Sequence, residues 1–167
     1  MAWNDTKITG GGLTADEWNA HVADQESNLQ NVSEDTTPQL GGNLDLNGKG
    51  VTEEFTAASS LVSGDLCYLN GDGKFAKARA DAAANCDTLL ALCLDTISAD
   101  ATGTFLILGK YTTSGLTAGD VYYVSTSSGS FTNTAPSTSG EFVRIIGYAL
   151  STTELYFKPG DTYIEVV

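Results

Sequence analysis

Residues 36–51 constrain the fold more than any other part of the chain. They run from Thr36 through Pro38, Gln39, Leu40, Gly41, Gly42, Asn43, Leu44, Asp45, Leu46, Asn47 and Gly48 to Val51. The run is extended, punctuated by glycine and asparagine, and apolar only at alternate positions, Leu44 and Leu46, with Leu40 upstream. Such a segment buries one thin stripe and forms no core of its own. Neighbours must cover the stripe, and parallel copies of the same segment would serve.

This wording, Thr-Pro-Gln-Leu-Gly-Gly-Asn-Leu-Asp-Leu-Asn-Gly, resembles a segment that recurs in trimeric fibre and appendage proteins of tailed phages. The resemblance covers about sixteen residues. It implies a homotrimer on a virion surface and leaves open which part of the virion carries it.

The chain has 167 residues, a 41% apolar share, and a net charge of −13 from only 17% charged residues. That length fits one globular domain with an extension, or two small units. The negative field argues against nucleic acid and anionic membrane as partners. It is also what plain solubility requires. No stretch approaches a membrane span, and the N-terminus lacks the apolar region of a signal peptide. Three cysteines, Cys67, Cys86 and Cys93, are odd in number and lack paired spacing. They fit a protein assembled in a reducing host cytoplasm better than a disulfide scaffold.

Upstream of the extended run lies a helix signal. Leu13 is placed as a staple, Thr14 as N-cap and Glu17 as its capping-box partner. The helix is expected from about Ala15 to about Asn31. Trp18, Val22, Gln25, Leu29 and Val32 alternate in steps of four and three, which is a heptad seam with one polar layer at Gln25. Two heptads are marginal alone in water, so the helix needs partner copies, a host protein or its own domain to pack on.

From Leu61 onward the pattern becomes short β runs separated by turn residues. Strands are expected at 65–70, 75–79, 89–95, 104–111, 121–125, 131–134, 142–150, 154–158 and 162–167. The run Leu61-Val62-Ser63-Gly64-Asp65-Leu66-Cys67-Tyr68-Leu69 matches Leu116-Thr117-Ala118-Gly119-Asp120-Val121-Tyr122-Tyr123-Val124. Each copy continues to a glycine-x-phenylalanine, at Phe75 and Phe131, and then to an apolar strand. Two units, 61–111 and 116–163, are therefore expected to share one core. The phrases Gly119-Asp120-Val121-Tyr122-Tyr123-Val124 and Ile146-Gly147-Tyr148-Ala149-Leu150 give this part a likeness to small β-domains of phage head-decoration proteins and fibre ends.

Chemical signatures are sparse. His21 is the only histidine and lies on the polar side of the expected helix. Three unpaired cysteines make no zinc site. Asn70-Gly71-Asp72-Gly73 reads as a hairpin turn before it reads as a Ca²⁺ loop, since it lacks the bidentate glutamate. Gly10-Gly11-Gly12 lacks the Gly-Lys-Ser/Thr of a phosphate loop. Lys74, Lys77 and Arg79 alternate along a strand, either as a solvated face or as one that meets an acidic partner. Tyr122, Tyr123, Tyr148, Tyr156 and Tyr163 either fill the core and its rim or form a platform for a host-surface glycan.

The expected fold is mainly β: an N-terminal helix (1–32), an extended fibre-like linker (33–60), and a C-terminal β-barrel or sandwich of two tandem units (61–167). The expected function is non-enzymatic, with no cofactor and no metal. It is a trimeric appendage on the capsid, a decoration protein or short head fibre bound to other virion proteins. A tail fibre or receptor-binding tip is the alternative. Trp18, Val22, Gln25, Leu29, Leu40, Leu44 and Leu46 are the expected oligomer and anchor residues.

Overall fold

The computed structural model describes Asp16, residues 18–23 and residues 50–167. The chain divides into two compact units, Met1–Leu44 and Asp45–Val167. In the first, Asp16 and residues 18–23 are helical and exposed. Trp18 and Val22 lie on this stretch at 61% and 38% exposure. The remainder of the expected 15–31 helix lies outside the described residues, as do Gln25, Leu29, Leu40, Leu44 and Leu46.

The second unit is mainly β, with very little helix. Its strands are β1 (Val51–Thr56), β2 (Leu66–Leu69), β3 (Phe75–Lys77), β4 (Leu90–Cys93), β5 (Thr102–Thr112), β6 (Val121–Val124), β7 (Phe131–Thr132), β8 (Phe142–Ala149), β9 (Glu154–Phe157) and β10 (Tyr163–Glu165). A short 3-10 turn at Ala83–Asn85 precedes β4. All nine strands expected from the turn signals are present. The tenth, β1, falls within the segment the sequence pattern assigns to the linker. It pairs antiparallel with β5 from Val51↔Leu108 to Thr56↔Thr102. Phe55 at its inner end makes edge contacts with Phe75 and Phe105, whose rings stack 4.7 Å apart.

The strands form one curled antiparallel sheet in the order β3-β2-β4-β5-β9-β8-β6-β7, with β1 added at β5 and β10 at β8. This order reads the same from either end: β3-β2-β4-β5 on one side, β7-β6-β8-β9 on the other. The backbone bonding repeats as well. The Gly64 amide donates to the Cys93 carbonyl at 2.8 Å, and that of Gly119 to the Ala149 carbonyl at 2.9 Å. The Asp65 amide closes a turn on the Val62 carbonyl at 3.0 Å, and that of Asp120 a turn on Thr117 at 3.1 Å. The third residue of each turn is a glycine at positive φ, 95° and 87°, as a type II turn requires.

The core has two parts. One cluster, including Cys67, Phe75, Cys93, Ile97 and Phe105, sits beneath β1 and the 57–61 segment. The larger cluster, including Leu66, Leu92, Leu106, Tyr122, Ile146, Leu155 and Phe157, lies within the curl. Residues alternate between the two along β2 and β4, so β4 is buried on both faces. That is why Leu90-Ala91-Leu92-Cys93 reads as a continuous apolar run rather than an alternating one.

Candidate functional site

Three surfaces carry the chemistry of the described residues: the paired aspartates of the Gly-Asp turns, a cleft beside Arg144, and a row of exposed tyrosines.

Each Gly-Asp turn aims its carboxylate at the second strand of the adjoining hairpin. Asp65 is paired with Lys77 at 2.9 Å and accepts the Val62 amide at 2.8 Å. Asp120 accepts the Asn133 side-chain amide at 2.8 Å. Lys77 and Asn133 stand at corresponding places in the two hairpins, so one contact is ionic and the other neutral. Lys74 pairs with Asp100 at 2.7 Å, and Arg79 with Asp81 at 3.0 Å. The basic trio of 74, 77 and 79 is thus matched one for one by acids of its own chain. The Lys74 ammonium is held above its usual range by its hydrogen bond to Asp100.

Arg144 on β8 is 95% buried, and among the described residues it forms no ion pair with a carboxylate. Its Nε donates to the Gly160 carbonyl at 2.9 Å, and its Nη1 to the carbonyls of Thr88, at 2.6 Å, and Cys86. Burial lowers its pKa, and nearby Asp161 and Asp87 oppose that effect. The guanidinium fastens the 86–88 segment and the turn after β9 to β8. Beside it opens a cleft of about 560 Å³ whose lining includes Asp87, Leu90, Leu108, Lys158 and Asp161. Its two cations and two anions balance, so the cleft favours no sign of charge.

Cys67, Cys86 and Cys93 are free and buried. Burial pushes all three thiols up, Cys86 to about 11. They behave as small apolar side chains. Among the described residues no group of three His, Cys, Asp or Glu side chains is placed to hold a metal ion. In the 70–73 turn the Asn70 Oδ1 accepts the amides of Asp72 and Lys74, both at 3.0 Å, so this oxygen serves the hairpin.

The five candidate tyrosines separate, with Tyr123 half-buried on β6. Tyr122 is buried and its hydroxyl accepts the Thr117 amide at 3.0 Å. Tyr163 packs edge-on against Phe142. Tyr148 and Tyr156 are cross-strand neighbours on the solvent face of β8 and β9, at 45% and 36% exposure. The row continues to half-buried Val121 on β6 and exposed Lys110 on β5.

The row exists because β8 carries a bulge. Tyr122 opposes Gly147, but Tyr123 opposes Ile145, leaving Ile146 as the extra residue. Simple alternation would put Ile146 and Tyr148 on one face. The bulge instead buries Ile146 fully and turns Tyr148 outward.

No protein-family model matches the chain, and no curated protein sequence matches it significantly.

Proposed function

We propose that this chain is a non-enzymatic structural protein of a tailed virus, a homotrimeric appendage on the virion surface. It serves as a capsid decoration protein or short head fibre and binds other virion proteins through its N-terminal part. The 14–31 helix mediates assembly, and Trp18, Val22, Gln25 and Leu29 form its seam. Leu40, Leu44 and Leu46 form the stripe that three parallel copies close. The β head is a barrel of two tandem units. The repeated pairing order and turn bonds support that reading. So do the backbone bonds from the Leu66 and Ala80 amides to the carbonyls of Gly129 and Ser125, which stitch one end of the sheet to the other.

The observation that carries the proposal is the junction at Val51. The fibre-like run ends on the residue that opens β1, with no spacer between. A fibre segment that becomes the first strand of a head transmits load directly into the sheet.

Native mass spectrometry of the purified chain, followed by imaging of labelled particles, tests the proposal. The expected results are a trimer mass and label over the capsid. Val22→Asp together with Leu29→Asp abolishes trimerisation or particle attachment and leaves the β head folded. A chain that is monomeric both in solution and on the particle refutes the proposal. Label confined to the tail tip selects the alternative, a receptor-binding fibre tip.

A further inference from the structure

The two ends of the sheet place corresponding residues in opposite surroundings. In the first half, Leu66, Leu92 and Leu106 lie side by side across β2, β4 and β5. All three are at most 1% exposed and belong to the larger core cluster. In the second half the same register positions across β6, β8 and β9 are Val121, Tyr148 and Tyr156. Here the row meets solvent and ends on Lys110. The face that is a dry interior contact in one half is uncovered by the described residues in the other, and two of its three leucines are replaced by tyrosines and the third by valine. Tyrosine tolerates water before a contact forms and contributes strongly once the contact has formed.

A second surface is equally incomplete. Val51, Thr52, Glu53 and Glu54, the first four residues of β1, are exposed. Among the described residues β1 pairs with β5 alone. An exposed strand with one unpaired edge invites a further partner.

We propose that the Val121–Tyr148–Tyr156–Lys110 row of one copy is covered by β1 of a second copy of this chain. The inference rests on the homotrimer reading above and names the surfaces that close the ring. Charge complementarity selects this occupant. Lys110 faces the Glu53 carboxylate, which strand alternation puts on the same face of β1 as Val51, and the tyrosine rings receive Val51. Proximity agrees: Val51 pairs with Leu108, two residues from Lys110, so both surfaces lie along one stretch of β5. The described chain enters the sheet at that place. A contact between two different faces is heterologous, and a three-fold rotation closes it into a ring with no free end.

The test uses the full chain, with sedimentation velocity over a dilution series and circular dichroism as the folding control. Lys110→Glu places an acid opposite Glu53 at all three contacts. It is expected to raise the concentration at which the trimer dissociates by at least about tenfold, since each lost pair counts three times. Tyr148→Ser with Tyr156→Ser is expected to do the same. Lys110→Glu combined with Glu53→Lys is expected to restore dissociation to within about threefold of the unsubstituted chain. All these side chains are exposed, so the sheet signal stays unchanged. Normal trimers in both weakening variants overturn this inference and leave the trimer reading standing. An unsubstituted chain that is monomeric throughout overturns both. Normal trimers that lose binding to a glycan array on Tyr148→Ser with Tyr156→Ser overturn it in favour of a sugar platform.

Discussion

Replacing Arg144 by methionine should be among the most damaging single changes to the β head, although no ion pair is lost. The guanidinium serves three backbone carbonyls, those of Cys86, Thr88 and Gly160. The Cys86 bond is buried and the other two are partly buried, and a carbonyl that loses such a charged donor costs about 1–3 kcal/mol. Against this, methionine removes a buried charge whose desolvation costs several kcal/mol. The three losses exceed that gain and leave a net destabilisation of about 2–4 kcal/mol. A domain of about 120 residues has an unfolding entropy near 0.25 kcal/mol/K at its midpoint, so the expected fall in Tm is about 8–16 °C. Scanning calorimetry at matched pH and concentration measures it. Arg144→Lys keeps the charge but loses the planar fork, and should fall between the two. Hydrogen exchange should quicken first in β10, because Arg144 holds the Gly160 turn that leads into that strand. A fall below about 3 °C for Arg144→Met would mean that water replaces the guanidinium at little cost, and would refute the reasoning.

Two further outcomes follow from the packing of the β head. Gly147→Ala places a Cβ 2.1 Å from the Tyr156 carbonyl oxygen, so β9 must move away from β8; calorimetry should register a loss of about 2–4 kcal/mol with a monomeric or trimeric chain alike. The thiols of Cys67, Cys86 and Cys93 should resist a thiol reagent in the folded chain at pH 8 and react fully in guanidinium chloride. Their folded pKa values lie above the unfolded value, so the stabilisation they give is complete below about pH 9 and declines as pH rises through the folded values, near 11 for Cys86. Denaturant titrations at pH 8 and pH 10 read that sign.

Much of the β head is legible in the sequence because turn chemistry marks it. Asn70-Gly71-Asp72-Gly73, Ser128-Gly129 and the two Gly-Asp steps bound the strands, and alternation or apolar runs fill them. β1 escapes this reading for a physical reason. Val51-Thr52-Glu53-Glu54-Phe55-Thr56 has too little apolar content to declare a strand, and pairing with β5 and the Phe55–Phe75–Phe105 contacts hold it in place. Arg144 stands alone in the sequence, whereas Lys74, Lys77 and Arg79 form the visible basic cluster. Its signal was present as the only charge inside the apolar run 142–150. Tyr148 and Tyr156 are among the five tyrosines the sequence offers as rim or platform, but which of the five share a solvent face depends on the β8 bulge, and strict alternation puts Tyr148 on the same face as Ile146. The one hint was Gly147 between them.

The difference between the two halves of the sheet also explains why a duplicated pattern yields one head rather than two. Cys67, Phe75, Cys93 and Phe105 in the first half correspond by register to Tyr122, Phe131, Ala149 and Leu155 in the second. The first set is closed over by Phe55 and Ala57 at the start of the sheet. The second set is closed over by Leu66, Leu92 and Leu106 from the back of the first half. Each half therefore supplies a concave face to be filled and a back that can fill another. A chain built this way always leaves one back exposed. With leucines there, as in the first half, that back would be an aggregation surface before any partner arrived. Val121, Tyr148, Tyr156 and Lys110 keep the area while placing hydroxyls and an ammonium group toward water. The substitution of tyrosine and lysine at the open end is what a face requires if it must stay soluble during folding and still bury aromatic area in an assembled particle.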